Sequence, residues 1–291
     1  MSRFAPAALE TLIDRLHDGG RLRVWSLVVT IFGDAIVPRG GSVQLAVLQE
    51  LVARLRVEPG ALRTALSRLA ADGWVTRERD GRTSSYTLDR HGLHAFDQAT
   101  RRIYAGAAPF WDGRFTVALG LGGKRSASTP QKQALAEAGF VAAGSGWVRP
   151  ETFSSPDLPS TNDFLMVTGT VADLPRDFSA VWGLDDLAGR YRAFAATLGP
   201  LEHALEAGDR LAPLDALAAR ILLIHAWRRL VLHDPGLPEA LLPRAWPGTE
   251  ARGVAAGIYR DLTDASERWL DSAGLPPLED ADAFARRFGG E

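Results

Sequence analysis

An Asp-Gly dipeptide at Asp80-Gly81 restricts the fold of this chain more than any other feature of its sequence. The segments on either side of it, 74–79 and 82–88, alternate in polarity and are rich in residues that favour strands. Asp-Gly between two such segments is the strongest short-range indication of a β-hairpin, because both residues tolerate the positive φ angles that the tight turn requires. The sequence therefore predicts a two-stranded hairpin at this point.

A helix is predicted directly before the hairpin. Apolar residues recur at helical spacing from Leu62 to Leu69, Pro59 suits the first turn and Gly73 suits the end. The other elements predicted around it are helices near 9–16, 24–33, 45–55 and 91–104 and a very short strand at 42–44. The order helix, short strand, helix, tight turn, helix and hairpin is typical of a winged helix-turn-helix, which is predicted over residues 22–105.

Charge is distributed unevenly along the chain. The formal net charge is -2, but residues 54–102 contain ten arginines and only six acidic residues. From Asp173 onward, acidic residues outnumber basic ones. This segregation is expected of a DNA-binding module attached to an acidic effector domain, and a merely solvated arginine-rich face would explain the charge equally well.

The predicted DNA contacts lie on the helix that begins at Pro59 and on the hairpin. Arginine suits this role because its planar fork bonds O6 and N7 of guanine together, and a basic hairpin suits phosphates or the minor groove. The candidates on the helix are Arg63, Thr64, Ser67 and Arg68. The candidates on the hairpin are Arg77, Arg79, Arg82, Ser84 and Tyr86. The alternative is that all of these are ordinary solvated surface residues.

The rest of the chain divides into a mixed segment and a helical one. Strands near 115–119, 140–143, 147–148 and 164–171, with a helix near 130–138, suggest a small ferredoxin-like α+β domain. From Leu184 onward, apolar residues follow helical spacing. The chain is therefore predicted to be a multidomain α+β protein with three domains. These are a winged helix-turn-helix DNA-binding domain with an N-terminal helix (1–108), a ferredoxin-like domain (109–184) and an all-helical effector and dimerisation domain (185–291).

The amino-acid composition excludes several classes of protein and of binding site. The sequence contains no cysteine, which excludes disulfides, thiolate zinc sites and iron–sulfur clusters and fits a reducing compartment. Its first 20 residues match neither a signal peptide nor a transit peptide, and no run of about 18 apolar residues is present. The sequence predicts a cytoplasmic protein without a cofactor, a metal or a membrane partner.

Two sets of longer motifs extend along the chain. The N-terminal set comprises Ser26–Thr30, Phe32–Asp34, Gly40-Gly41, Arg63–Leu69, Gly73-Trp74, Gly81-Arg82 and Tyr86. The later set comprises Trp111–Arg114, Trp182–Leu184, Leu223–Arg229, Asp234–Pro238, Leu241–Pro243 and Trp246–Gly248. Together they resemble the PaaX family, whose members repress phenylacetic acid catabolism, and the resemblance covers most of the chain.

The resemblance implies a winged helix, a middle domain similar to the small CRISPR-associated ferredoxin-fold nuclease and a helical C-terminal domain. It also implies a homodimer that binds double-stranded operator DNA at a palindrome and is released by phenylacetyl-CoA. Two positions depart from the family pattern: Gly183 replaces an expected Asp, and Trp227 replaces the commoner Tyr. Because of these two departures, the effector could be a related acyl-CoA instead of phenylacetyl-CoA.

An acyl-CoA effector requires arginines for its phosphates and an apolar slot for its acyl part. The helical part and its entrance contain the candidate ligand-binding residues Trp182, Tyr191, Arg192, His225, Arg228 and Arg229. The alternative is that the aromatic residues belong to the core and that the arginines form structural ion pairs.

No enzymatic motif in the sequence is complete, so a non-enzymatic regulator is expected. The glycine-rich residues 120–125 lack the spacing of a phosphate-binding loop, and the histidines lack the spacing of a metal site. Two alternatives stay open. One is a metal-dependent nuclease that uses the ferredoxin-like domain, which would need more clustered carboxylates than Asp112 and Asp163. The other is a DNA-binding adaptor without a small ligand.

Overall fold

The computed structural model describes residues 4–18, 22–81, 83–121, 128–152, 157–158, 163–175 and 177–290. At residues 90, 91, 94, 95 and 98 only the backbone is described. The chain is a mixed α+β protein whose helices accompany two small antiparallel sheets.

The described residues form two compact units. The larger unit draws on residues 1–106, 190–232 and 247–291, and the smaller unit on residues 107–189 and 233–246. These boundaries differ from those of the three predicted domains, whose division remains a prediction.

Helices make up most of the larger unit. Its N-terminal helices are α1 (Phe4–Asp18), α2 (Val24–Ile31), α3 (Leu45–Arg54), α4 (Pro59–Ala71) and α5 (Arg90–Ile103). Its later helices are α7 (Asp185–Glu206), which begins in the smaller unit, α8 (Pro213–Val231), α9 (Pro247–Ser272) and α10 (Ala281–Ala285). Helix α8 is buried on almost every side, with Leu217, Ile221 and Leu223 fully enclosed, and it packs along α9. The two helices therefore form the centre of this unit.

A three-stranded antiparallel sheet completes the N-terminal part of the larger unit. It contains β1 (Ser42–Gln44), β2 (Val75–Asp80) and β3 (Thr83–Leu88) in the order β1-β3-β2. Gly81 has a φ of 56°, the left-handed conformation that the tight turn requires, and the predicted hairpin is confirmed. Because β3 is the central strand, Tyr86 and Leu88 lie in the core.

An acidic side chain is buried just after α2. The helix continues into a π-helical turn, Phe32–Ile36, which leaves Asp34 only 1% exposed. The carboxylate of Asp34 accepts hydrogen bonds from Tyr104 Oη (2.7 Å), Arg220 Nε (2.8 Å), Tyr259 Oη (3.1 Å) and Arg287 Nη1 (3.2 Å). Burial raises the pKa of both tyrosine hydroxyls, so they stay protonated and keep donating.

The buried arginines extend this network into the C-terminal helices. Arg220 also donates to Glu267 (2.7 Å), and Arg39 donates to the same carboxylate (2.7 Å) and to Asp271 (2.8 Å). Arg220 is fully buried, and Arg39 is 3% exposed. The segment after α2 is therefore fixed to α8 and α9 by charge-assisted hydrogen bonds as well as by apolar packing.

The described residues of the smaller unit include a four-stranded sheet and a helix that packs on it. Its elements are β4 (Trp111–Gly120), α6 (Thr129–Glu137), β5 (Val141–Ala143), β6 (Gly146–Thr152), β7 (Phe164–Thr170) and a 3₁₀ turn at Phe178–Trp182. The strand order is β5-β6-β4-β7, with antiparallel neighbours throughout. Leu135 of α6 packs on Ala118, Phe140 and Phe164 to form the core. Among the described residues, none of the helices has both the length and the hydropathy of a membrane-spanning segment.

Candidate nucleic-acid interface

Helix α4 separates its apolar and polar residues onto opposite sides. Leu62, Leu66 and Leu69 are buried on one side, against α2 and α3. The other side is exposed and carries all four predicted helix contacts, Arg63, Thr64, Ser67 and Arg68. The structure therefore brings these four residues together on one accessible face, here called the α4 polar face.

The contacts that the α4 polar face makes within the chain are weak. Thr64 Oγ1 and Arg63 Nε donate to carbonyls of the preceding turn, at 3.0 and 3.3 Å. Arg68 lies 3.6 Å from Asp72 in an exposed ion pair and 5.4 Å from the centre of the Trp25 ring. Exposed pairs of this kind contribute little to stability, so the side chains can exchange them for another partner at low cost.

One face of the hairpin changes from apolar at its base to basic toward its tip. Residues paired across the strands share a face, and Val75 pairs with Leu88 at the buried base. Toward the tip, the same face carries Arg77 and Arg79, both exposed. Arg77 Nη2 donates to Ser84 Oγ (3.0 Å), and Arg79 Nε donates to the Gly81 carbonyl (3.2 Å). This basic hairpin face presents guanidinium groups, while Glu78 and Asp80 lie on the opposite face.

Three of the predicted hairpin contacts have other outcomes. Tyr86 is 6% exposed, because its strand is central in the sheet and it pairs with Val43 on one side and Arg77 on the other. Its side chain lies on the same face as Arg77 but is buried, so it belongs to the apolar core at the base of that face and is not available for a DNA contact. Ser84 is half-buried beside Arg77. Arg82 lies outside the described residues.

Two arginines of the basic stretch are committed to structural ion pairs. Arg54 pairs with Glu10 (2.8 Å) and Asp215, and Arg56 pairs with Asp14 (2.6 Å) and Glu10. Arg54, the last residue of α3, thereby joins that helix to α1 and α8, and Arg56 joins the turn between α3 and α4 to α1. These two arginines are therefore neutralised by acidic residues from outside the basic stretch. Of the other arginines in that stretch, Arg63 and Arg68 lie on the α4 polar face, and Arg77 and Arg79 lie on the basic hairpin face.

The aromatic candidates for ligand binding, Trp182 and Tyr191, belong to different units. Tyr191 is 1% exposed and packs on Trp227, with 6.0 Å between ring centres, beside Phe194. Trp182 belongs to the smaller unit, where its ring stacks edge-on against Phe178 at 5.4 Å. Tyr191 therefore has the core role that was the alternative to ligand binding.

The three arginine candidates lie in different environments. Arg192 and Arg229 are exposed. Arg228 is half-buried, and its Nη2 donates to the carbonyl of Ser26 (2.8 Å) and to its hydroxyl (2.5 Å). Arg228 also lines a cavity of about 140 Å³ between α2, α5 and α8.

His225 is buried and uncharged. Its Nδ1 lies 3.0 Å from Thr30 Oγ1, and it is 7% exposed. Burial, together with the positive charges of Arg228 and Arg229, lowers the pKa of His225 to about 3. His225 thus links α8 to α2 through Thr30, and its part in ligand binding stays a prediction.

The buried neutral state of His225 makes stability depend on pH. The unfolded chain takes up a proton on this residue below about pH 6.5 and the folded chain does not, so the folded state loses stability as the pH falls. Between pH 7 and 5 we expect the free energy of unfolding to fall by about 2 kcal/mol more in the wild type than in His225→Gln. Urea unfolding at both pH values measures this difference. His203→Gln, at an exposed position on α7, should follow the wild type, and equal pH dependence in all three proteins would contradict the assignment.

Metal-binding groups are not gathered within the described residues. No set of three or more histidine, aspartate or glutamate side chains is close enough there to hold an ion. Asp112 bonds Arg114 (2.9 Å), and Asp163 accepts a hydrogen bond from Gln131.

Family models match both regions in which the candidate residues lie. A model described as "PaaX-like protein" matches residues 23–92, which include α4 and the hairpin. A model described as "PaaX-like protein C-terminal domain" matches residues 182–272. The chain thus belongs to a class of proteins that contain both PaaX-like domains, and the candidate interface lies in the first of them.

Similarity over the full length identifies the family. "Transcriptional repressor PaaX" of Escherichia coli (strain K12) is 32% identical over 305 residues, an alignment that covers 97% of this chain and 95% of the relative. The chain belongs to the PaaX family. Among solved structures, the uncharacterized protein Rv0674 from Mycobacterium tuberculosis matches with a TM-score of 0.48 and 20% identity, over 94% of this chain and 100% of that chain.

Proposed function

We propose that this protein is a cytoplasmic DNA-binding transcriptional repressor of an aromatic-acid catabolic operon, that of phenylacetate, and is not an enzyme. The observation that carries the proposal is the pairing of the α4 polar face with the basic hairpin face. Membership of the PaaX family supports it, since the Escherichia coli relative is named a transcriptional repressor.

In the proposed complex, the protein binds DNA as a winged helix-turn-helix does. Helix α4 enters the major groove, where Arg63 and Arg68 bond base edges and Thr64 and Ser67 bond bases or phosphates. Arg77, Arg79 and Arg82 of the hairpin contact phosphates or the minor groove, which gives affinity and register with little sequence information. A homodimer places two such modules on the halves of a palindromic operator.

The smaller unit is proposed to be ferredoxin-like. Numbered within the unit, its strands are in the order 2-3-1-4, which read from the other edge is the 4-1-3-2 order of that fold. Helix α6 connects the first and second strands of the unit, as the fold requires.

The effector is proposed to be phenylacetyl-CoA or a related acyl-CoA that releases the operator. Two conformations of different operator affinity are needed, and the effector must bind the weaker-binding one better. A coupling free energy of about 1–3 kcal/mol, typical of allosteric proteins, corresponds to a loss of operator affinity of about 5- to 150-fold.

A gel-shift titration on the promoter next to the protein's own gene tests the proposal. We expect tighter binding to this DNA than to a random duplex of equal length, and weaker binding when phenylacetyl-CoA is added but not when free coenzyme A is added. Equal affinity for both duplexes would contradict the repressor assignment. Selective binding that is unaffected by phenylacetyl-CoA would instead favour the adaptor without a small ligand.

A further inference from the structure

A cavity of about 140 Å³ lies inside the larger unit, between α2, α5 and α8. Its walls are mostly apolar. The apolar lining comes from Val29, Trp74, Phe96, Ala99, Ile103, Ile224 and Leu232. An engineered apolar cavity of about 150 Å³ in another protein stays dry and binds benzene, so this volume matches a single six-membered ring.

One hydrogen-bond donor in the wall is unused. Arg228 lines the cavity, and its Nη2 is occupied by Ser26. Its Nε is buried and has no hydrogen-bond partner among the described residues. Burial, with the nearby positive charge of Arg229, lowers the pKa of Arg228. A shift in this direction indicates a buried positive charge that its surroundings do not balance. A buried donor of this kind favours a ligand that brings an oxygen acceptor.

Three other polar residues of the lining, Asp34, Tyr104 and Thr30, already have partners. Asp34 and Tyr104 bond each other at 2.7 Å within the buried charge network. The Thr30 hydroxyl donates to the Ser26 carbonyl (3.1 Å) and contacts His225 (3.0 Å). The described lining is therefore apolar apart from these groups, the Thr100 hydroxyl and the Arg228 guanidinium, a composition that suits a specific small-ligand site.

We propose that this cavity binds a single aromatic ring that carries a carbonyl or carboxylate oxygen, and that the guanidinium group of Arg228 donates to that oxygen. The inference rests on the proposed function for the identity of the natural ligand. That ligand is an arylacetyl-CoA, whose acyl part contains such a ring and such an oxygen. Of the six ligand-binding residues predicted from sequence, Arg228 lines the site, and Trp74, Phe96 and Ala99 are lining residues that the sequence did not indicate as such.

The position of the cavity connects it to the α4 polar face and the hairpin. Val29 lies on α2, which packs against α4, and Trp74 lies between the end of α4 and the start of β2. The Trp74 ring meets the Phe96 ring edge-on, with centres 6.0 Å apart. Phe96 is held close to Gly33, where an added Cβ would lie 2.5 Å from the ring. A ring in the cavity that displaces Phe96 or Trp74 thus acts on the junction between α4 and the hairpin, which biases the protein between two conformations of different operator affinity.

Filling the cavity tests the site. Ala99→Leu places an isobutyl group in the space, and Ala193→Leu makes the same change at an exposed position on α7. Calorimetric titration of both variants and the wild type with phenylacetate and with phenylacetyl-CoA gives the dissociation constants. We expect Ala99→Leu to weaken binding of both probes by more than about tenfold, because a filled site must be repacked to admit a ring, and Ala193→Leu to bind as the wild type does.

Enlarging the cavity gives a second readout that loss of folding cannot imitate. Leu232→Ala removes a half-buried wall residue and should raise the affinity for 2-naphthylacetate relative to phenylacetate by about tenfold, since a larger ring then fits.

The outcomes separate this site from the function on which it rests. Wild-type affinity in Ala99→Leu, or an unchanged ring preference in Leu232→Ala, would overturn the site and leave the repressor assignment intact. Failure of both probes to bind the wild type would overturn the site and the proposed effector together, and gel shifts on the same samples would show whether operator binding remains.

Discussion

Replacing Asp34 by alanine is expected to lower the free energy of unfolding by about 3–5 kcal/mol, the cost of removing one partner from a buried ion pair. The substitution leaves Arg220 and Arg287 without their shared carboxylate, and it removes the acceptor for the Tyr104 and Tyr259 hydroxyls. These groups are too deeply buried for water to replace the lost oxygens without rearrangement of the core.

Urea unfolding followed by circular dichroism measures this loss. Asp264→Ala, at an exposed position on α9, is the matched control and should stay within about 0.5 kcal/mol of the wild type. A double-mutant cycle with Arg220→Ala should give a coupling of about 0.5–3 kcal/mol, because residues in one network are not additive. A loss below about 1 kcal/mol for Asp34→Ala would show that the network is not a major source of stability.

The second large effect is expected on DNA selectivity. Arg63→Ala and Arg68→Ala should each reduce operator affinity by about 5- to 150-fold, the equivalent of 1–3 kcal/mol for a fork that bonds guanine, with a smaller loss on random duplex. Arg77→Ala and Arg79→Ala should weaken both duplexes by the same factor and reduce the slope of log affinity against log salt by about 1 each, because phosphate contacts release counterions and do not read sequence.

Fluorescence anisotropy at several fixed salt concentrations separates the two classes of variant. Arg260→Ala, an exposed arginine on α9, removes the same charge away from the proposed interface and serves as the control. Equal losses on operator and random duplex for Arg63, Arg68, Arg77 and Arg79 alike would contradict the division of roles between helix and hairpin.

Local sequence signals predicted the N-terminal elements well. Asp80-Gly81 located the turn of the hairpin, Pro59 marked the first residue of α4, and residues 42–44 form the predicted short strand. These features depend on the backbone preferences of a few neighbouring residues, which the sequence contains directly. The four residues of the α4 polar face were predictable for the same reason, because helical spacing alone decides which side of α4 is apolar.

Long-range pairing was not predictable from one sequence. Asp34 and Arg220 are 186 positions apart, and no local periodicity reveals that they bond. The pairing of Arg54 and Arg56 with α1 and α8 was missed for the same reason, and so was the core position of Tyr86, which depends on β1 covering β3. One signal was available: an acidic residue directly after a helix that is apolar on both sides must be buried and therefore paired.

Because the sequence contains no cysteine, a single introduced cysteine can be labelled specifically, and this allows a direct test of the central claim. Ser67→Cys, labelled with an iron chelate that cleaves nearby DNA, places the cutting group on the α4 polar face, and Ala193→Cys places it on α7 as the control. We expect the label at position 67 to cut promoter DNA at a few adjacent nucleotides in each half of the operator, and the label at position 193 to cut none of them. Two results would contradict the claim that α4 lies in the groove. One is cleavage of the operator by the control label at position 193, and the other is no cleavage by the label at position 67 although the protein–DNA complex still forms.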